Sequence, residues 1–492
     1  MAGQGLPLLV GLFTIPFLIR GLGTERFGIL SLAWVLLGYA GLLDLGLGRA
    51  TTKFVAEYLG KGELRRLPGI VWTSLSCQMV FGFAGMFLMA GVTQHLVDKW
   101  LKISPSFTSE AKMAFLVIAI SLPIVLAGNA LRGVLEATQQ FDIVNYVKIP
   151  ANAAVFILPA LAVFVGLGLP SIVALLVLAR LGASLAYLFA CFKSLPVLRR
   201  GFTFDVRMVR PMFVYGGWVT VSSVVSPFMT YMDRFFIGSI LSMTAVGYYT
   251  APYEAITRAW ILPTSLMGTL FPAFTNLDAN GIKTKLEEAY SRAIKSLLLV
   301  IAPVMLLVIA FGQDILRMWL GQDFAVKSTL SLQILAVGVL INSLAFVPLG
   351  LLQGLGYPNV TAKFHLCELP FYAAALWLLL PRMGIAGAAL AWTLRVTLDA
   401  TLLFAWVFRL KAVSATRVAD ASLRRTALIL LLFGSSLRVF FVVHESLLAQ
   451  SIFAIAFLSL FVAAAWSYGL DHKERTLVAS AAGHIRLALR RS

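Results

Sequence analysis

The stretch Leu297 to Phe311 reads LLLVIAPVMLLVIAF and presents no polar face, whatever period is used to wind it. A strand of a membrane barrel alternates apolar and polar residues over about ten positions, so this run belongs to a helix that is apolar on every side. Such an element is at home in a hydrocarbon core of about 30 Å, where every backbone group must be satisfied internally. Outward from it, comparable stretches recur along the chain. They place spans at 3–20, 28–46, 68–94, 113–131, 149–166, 171–192, 211–230, 244–275, 296–312, 329–352, 364–380, 385–408, 426–443 and 449–468. Composition agrees: 60% of the 492 residues are hydrophobic, 13% are charged, and the mean hydropathy is +0.89. A string of soluble domains is excluded, and the expected fold class is an all-α membrane protein of about 14 transmembrane helices.

A net charge of +18 invites a nucleic-acid reading until its placement is examined. With the N-terminus cytoplasmic, the connections and tail on that side carry 27 Lys and Arg, among them Arg65, Arg66, Arg199, Arg200, Arg424 and Arg425, against 10 on the other when Arg20 and Arg438, in the outer parts of their spans, are included. That asymmetry is the positive-inside rule, so the basicity reports topology and attraction to anionic lipid, and no nucleic acid is expected. Both termini are expected in the cytoplasm. Cys77, Cys191 and Cys367 lie in or beside spans without CxxC spacing and read as packing residues. The first apolar stretch lacks a basic n-region and a cleavage site, so no cleavable signal is expected. The five histidines are scattered, and runs such as Gly21-Leu-Gly23 lack the GK[ST] ending of a phosphate loop. No metal, cofactor or catalytic centre is expected.

The chain resembles itself. Phe17 to Ser31 (FLIRGLGTERFGILS) aligns without a gap on Phe236 to Thr250 (FIGSILSMTAVGYYT) at an offset of 219, pairing Gly28 with Gly247. At the same offset Lys99-Trp100-Leu101 meets Met318-Trp319-Leu320; further on, at an offset of 217, Gly133-Val-Leu corresponds to Gly350-Leu-Leu. Lys148, Arg180 and Leu188-Phe-Ala reappear as Lys363, Arg395 and Leu403-Phe-Ala at an offset of 215. Six spans per repeat is an even number, so both repeats enter the bilayer in one orientation and relate by an axis along the membrane normal. The expected organisation is an N-lobe over 1–195, a cytoplasmic linker over 196–210, a C-lobe over 211–410, two further helices over 411–470 and a basic tail over 471–492.

Several phrases resemble the multidrug/oligosaccharidyl-lipid/polysaccharide (MOP) exporter superfamily, and within it the polysaccharide-transporter branch of Wzx-type flippases. They are Arg20-Gly-Leu-Gly with Phe27-Gly28, Leu42-Leu-Asp-Leu-Gly-Leu-Gly48 leading to Ala56-Glu57, Asp233-Arg234 with Gly247-Tyr-Tyr, and Leu352-Gln-Gly-Leu-Gly356. Members of that family usually carry a basic stretch before the first helix, whereas Met1 to Gly5 alone precede it here. The resemblance implies two six-helix MATE-like lobes around a cationic cavity, two added helices, and alternating access. It also implies an undecaprenyl-diphosphate-linked glycan as substrate, the bacterial inner membrane as location, and polysaccharide polymerase and chain-length machinery as partners.

A charge at the bilayer centre costs about 2.5–3.5 kcal/mol on insertion scales, so the arginines deep in spans are where function is sought. They are Arg180, Arg258 and Arg395. Arg258 follows Glu254 by four residues and Asp399 follows Arg395 by four, so each has a carboxylate on its own helix and reads equally as neutralised packing. Arg180 has Leu176, Val177, Ala183 and Ser184 at the neighbouring positions and must find an anion elsewhere. The guanidinium fork suits a diphosphate, and Arg180 with its repeat-mate Arg395 is the leading substrate-binding pair. Arg20 and Arg49 stand at opposite mouths of the path, where interfacial anchoring is the alternative. Asp44, Asp233, Glu254 and Asp399 are candidates for ion coupling or gating. For Asp44 the alternative is pairing with Arg49 or capping the next turn, and for Asp233 a helix-end charge.

Two other function classes compete. A membrane polymerase or glycosyltransferase would present a large extramembrane segment, and here the connections are short. A MATE-like cation-coupled drug antiporter would carry twelve helices and carboxylates rather than arginines in its cavity.

Overall fold

The computed structural model describes residues 2–39, 44, 46–414, 421–443, 447–469 and 475. Among these, all regular secondary structure is helical. The α-helices are α1 (Ala2–Leu22), α2 (Thr24–Tyr39), α3 (Leu47–Gly60), α4 (Leu67–His95), α5 (Thr108–Ala137), α6 (Phe141–Phe164), α7 (Leu169–Ser194), α8 (Val206–Ile240), α9 (Met243–Thr257), α10 (Ile261–Ala279), α11 (Lys283–Leu320), α12 (Gln322–Gly354), α13 (Pro358–Met383), α14 (Ile385–Arg409), α15 (Ala421–Val443) and α16 (Leu447–Ala464). Eight of them, α4 to α7 and α11 to α14, are long and apolar enough to cross a bilayer. Large side chains such as Phe13 (76%), Phe189 (70%) and Leu431 (70%) are exposed, which a water-soluble surface would not tolerate in such number. The chain is a multi-pass membrane protein.

Two expected spans are built differently. The stretch 244–275 is not one helix: α9 ends at Thr257, a 3-10 turn runs over Arg258–Trp260, and α10 resumes at Ile261. Pro263 has no N–H to return to the preceding turn, which accounts for the interruption. The span at 28–46 stops as α2 at Tyr39, and α3 begins at Leu47; residues 40–43 and 45 lie outside the described residues, as does most of the expected tail over 471–492. Helix limits repeat as the sequence does. Thr24 opens α2 and Met243 opens α9, while Gly60 ends α3 and Ala279 ends α10, each pair 219 residues apart.

By contact density the chain divides into two compact units, Met1–Ala255 with His365–Ala391, and Ile256–Phe364 with Trp392–Ser492. In the first, α3 to α7 and the start of α8 enclose a core of Leu47, Val55, Leu67, Leu135, Cys191, Met208 and Met212. Small residues bring α5 and α7 together: a Cβ on Gly128 would strike Ser184 Oγ, which donates to the Ile124 carbonyl at 3.0 Å. One heptad on, Cys191 Sγ donates to the Leu131 carbonyl at 3.3 Å, so this cysteine packs as expected, whereas Cys367 is exposed. Gly82 of α4 lies against the backbone of Pro123 in α5. We expect Gly82→Leu to cost about 1–3 kcal/mol through overpacking, read as a lower thermal midpoint in detergent beside an unchanged Gly91→Leu, since Gly91 has open space at its Cβ.

The first unit also contains the contact that the repeat anticipates. Gly28 and Gly247, aligned in sequence, meet in space: a Cβ on Gly28 would fall on the Met243 carbonyl and the Gly247 nitrogen, and one on Gly247 would fall on the Thr24 carbonyl. Since Thr24 and Met243 are themselves 219 apart, the contact is reciprocal, as at a two-fold axis. In the second unit, Phe311 of α11 packs with Phe433 of α15 and with Phe453 and Phe457 of α16, which ties the two helices beyond the repeat to α11.

Candidate functional site

Arg180 rides on α7 one turn before Ser184, whose bond to α5 fixes the rotation of that helix. With Ala179 and Leu176 it lines a cavity of about 40 Å³ whose other walls are Trp34 and Leu37 of α2 and Ala151, Ala154 and Val155 of α6. That is space for about three water molecules. The alanines leave the room; Phe27 and Phe156, with ring centroids 6.0 and 5.3 Å away, hold the indole edge-on. Among the described residues the Trp34 Nε1–H has no acceptor and Arg180 has no carboxylate partner. The cavity thus offers donors without acceptors, the complement of phosphate or of water rather than of a cation.

A second arginine stands within electrostatic reach of Arg180. Arg132, near the C-terminal end of α5, pairs with Glu136 at 3.3 Å and also lies near Asp44. Both Asp44 oxygens accept the Gly48 N–H at 3.0 Å, so the carboxylate caps the start of α3 while facing Arg49 and Arg132. The structure therefore connects Arg180, Asp44 and Arg49 through a residue the sequence reading assigned to a connection. Its i,i+4 carboxylate, Glu136, was the available signal. Arg20 lies in the last turn of α1 with its side chain exposed.

A polar network occupies the junction of α8 and α9. Asp233 (0% exposed) and Arg234 (1%) lie within α8 rather than at its end, so the helix-end reading of Asp233 is corrected. Arg234 Nη2 donates to Glu254 at 2.7 Å, and Tyr249 Oη donates to Asp233 at 2.7 Å. The guanidinium also lies over the rings of Tyr231 and Tyr253, at 5.1 and 5.3 Å. Glu254, read as a helical neighbour of Arg258, also accepts from Arg234, twenty residues away in sequence. In the second unit Arg258 forms the turn between α9 and α10 and Arg395 lies half-buried on α14, with Asp399 buried one turn on.

The sequence profile described as "Polysaccharide biosynthesis protein" matches residues 1–278, more than half of the chain. The chain belongs to the polysaccharide biosynthesis protein family. This family member is 31% identical over 407 residues to a "Putative O-antigen transporter" of Shigella flexneri, covering 82% of this chain and 95% of that protein. Its fold is that of the "Lipid II flippase MurJ, inward closed conformation", with a TM-score of 0.74 at 15% identity over 94% of this chain and 97% of that one. An inward-facing "multidrug resistance MATE family transporter of the MOP superfamily" matches with a TM-score of 0.67 at 16% identity, over 82% of this chain and 94% of that one. The MOP resemblance read from the sequence is thereby upheld.

Proposed function

We propose that the chain is a Wzx-type flippase that carries undecaprenyl-diphosphate-linked oligosaccharide repeat units across the bacterial inner membrane. The carrying observation is the 31% identity to a putative O-antigen transporter over nearly its whole length. The donor-only cavity at Arg180 and Trp34 supports an anionic head group, because the Arg fork matches phosphate oxygens and, among the described residues, the Trp34 N–H has no acceptor.

On this reading the fourteen expected spans form two parallel six-helix lobes, 1–195 and 211–410, joined by the cytoplasmic linker 196–210 and followed by two helices and a basic tail. The 219-residue spacing of helix limits and the reciprocal Gly28–Gly247 contact support it. Transport then proceeds by rocking of the lobes about a path between them. Arg180 with Arg395, and after them Arg258, Arg20 and Arg49, are the cationic candidates; Asp44, Asp233, Glu254 and Asp399 are the candidates for coupling or gating. Polymerase and chain-length proteins are the expected partners. In a strain lacking its own repeat-unit flippase, expression of this chain is expected to restore surface polysaccharide, read as the return of the polymer ladder on a gel. A strain that stays bare while the protein inserts at normal levels contradicts the reading.

A further inference from the structure

α10 is built the opposite way round from a lipid-facing helix. Its 19 residues would reach across most of a hydrocarbon core, at about 28 Å, yet it is not among the eight helices long and apolar enough to span one. Its apolar residues turn inward: Pro263 and Phe274 are buried, and Leu266, Met267, Leu270 and Leu277 are half-buried on the same arc. Met267 lies against Gly350 of α12, and Phe274 against Gly354. The opposite arc is exposed and carries Thr264, Gly268, Thr269, Pro272, Thr275 and Asn276. In a bilayer, an exposed arc of hydroxyl and amide groups behind a packed apolar arc faces water rather than lipid.

The hydroxyls of that arc all point their protons the same way. Thr264 Oγ1 donates to the Trp260 carbonyl at 2.6 Å, Thr269 Oγ1 to the Leu266 carbonyl at 2.8 Å and Thr275 Oγ1 to the Phe271 carbonyl at 3.1 Å. Each proton is used by the helix itself, and the oxygen lone pairs are left toward water. Asn276 Oδ1 accepts from Asn280 at 3.2 Å and keeps a second lone pair. Phe271, 42% exposed on the same arc, adds an apolar ring. Asp278 in the last turn is a further acceptor, and α10 carries no Lys or Arg. Acceptors beside a ring match the O–H donors and C–H faces of a neutral sugar, whereas phosphate calls for donors.

The corresponding helix of the first repeat has the other chemistry. At the offset of 219, exposed Arg49 and Lys53 of α3 correspond to exposed Gly268 and Pro272 of α10, and Glu57 corresponds to Asn276. The same arc is exposed in each repeat, and in α10 its cations are gone. We propose that the exposed arc of α10 contacts the glycan of the lipid-linked substrate, with Thr269 and Asn276, seven residues apart on one face, as residues that select a neutral sugar. Gly268 leaves room for it, since its Cβ position has nothing within 4 Å. The proposal rests on the flippase reading, and its test separates the two.

Purified variants are placed in vesicles with undecaprenyl diphosphate, either bare or linked to the neutral repeat unit of the strain used for complementation. A membrane-impermeant phosphatase reads the bare lipid and a glycosidase the linked one. Thr269→Val with Asn276→Leu is expected to lower movement of the glycan-linked lipid about tenfold and to leave the bare lipid at its wild-type rate. Gly268→Arg restores the cation of Arg49 at the equivalent place and is expected to act in the same way at an unchanged thermal midpoint, because its site is open. Wild-type movement of the glycan-linked lipid by both variants, or an equal fall with both lipids, overturns the proposal. A second arm needs no transport. In a chain whose three cysteines are replaced, Asn276→Cys is expected to react with a water-soluble maleimide in detergent, and the glycan-linked lipid to slow that reaction about threefold or more beyond the bare lipid. No reaction, or equal protection by the two lipids, overturns the proposal. A wild-type chain that moves neither lipid while the protection holds counts against the flippase reading and leaves the sugar contact standing.

Discussion

Arg180→Ala is expected to abolish delivery of surface polysaccharide while the protein inserts at normal levels. Arg180 brings a fork of donors to a cavity in which no described carboxylate answers it, and the neighbouring Trp34 N–H is equally without an acceptor. Two charge-assisted bonds to phosphate at about 1.5 kcal/mol each correspond to about a hundredfold loss of rate. Lysine at the same place keeps the charge and loses the fork, so Arg180→Lys is expected to recover only part of the activity. Trp34→Phe keeps the ring that Phe27 and Phe156 brace and removes a single donor, so its loss is expected to be smaller, about tenfold. Polymer ladders, normalised to membrane-inserted protein, read all three. Wild-type ladders from Arg180→Ala would remove this residue from the substrate path.

The second large effect is on stability. Arg234 is enclosed between Asp233 and Glu254 and capped by two tyrosine rings. Removing the guanidinium leaves two carboxylates where water does not reach them freely, and breaking a buried pair in this way costs about 3–5 kcal/mol. Arg234→Ala is therefore expected to lower the yield of folded protein in the membrane and its thermal midpoint in detergent by several degrees. Glu254→Gln retains an acceptor and is expected to be milder. Tyr249→Phe removes one hydrogen bond to Asp233 and is expected to cost about 1 kcal/mol. Equal midpoints for Arg234→Ala and wild type would show that the network is not structural.

The helical membrane class was legible in Leu297–Phe311 alone, because an all-round apolar run of that length satisfies one solvent. The internal alignment carried more than a fold class: Gly28 and Gly247, paired by it as equivalent positions, lie on helices that approach one another closely at those two residues. What stayed hidden is what helical spacing does not encode. Glu254 has Arg258 four residues away, and helical spacing gives no hint of the further partner, Arg234, that the preceding helix brings across the α8–α9 turn. Arg132 was hidden for another reason. Near the C-terminal end of α5, it falls in a connection expected on the cytoplasmic side, and a residue explained by the positive-inside rule attracts no further question. Asp233 looked like a helix end because the apolar run stops near residue 230, but α8 continues to Ile240 through residues that are polar and buried. Hydropathy reports the solvent around a helix, and polar residues paired inside a bundle escape it. The split of 244–275 has a cause visible in the sequence, Pro263, whose missing N–H interrupts the helical ladder without changing the hydropathy of the run.

The most direct measurement uses purified protein in vesicles carrying a fluorescent undecaprenyl-diphosphate oligosaccharide, with a membrane-impermeant glycosidase reporting how much sugar stands on the outer face. Vesicles with the wild-type chain are expected to present lumenal substrate to the enzyme within the assay, and vesicles with Arg180→Ala to behave like empty ones. Wild-type vesicles that match empty ones, under conditions in which the protein is folded and inserted, would contradict the account.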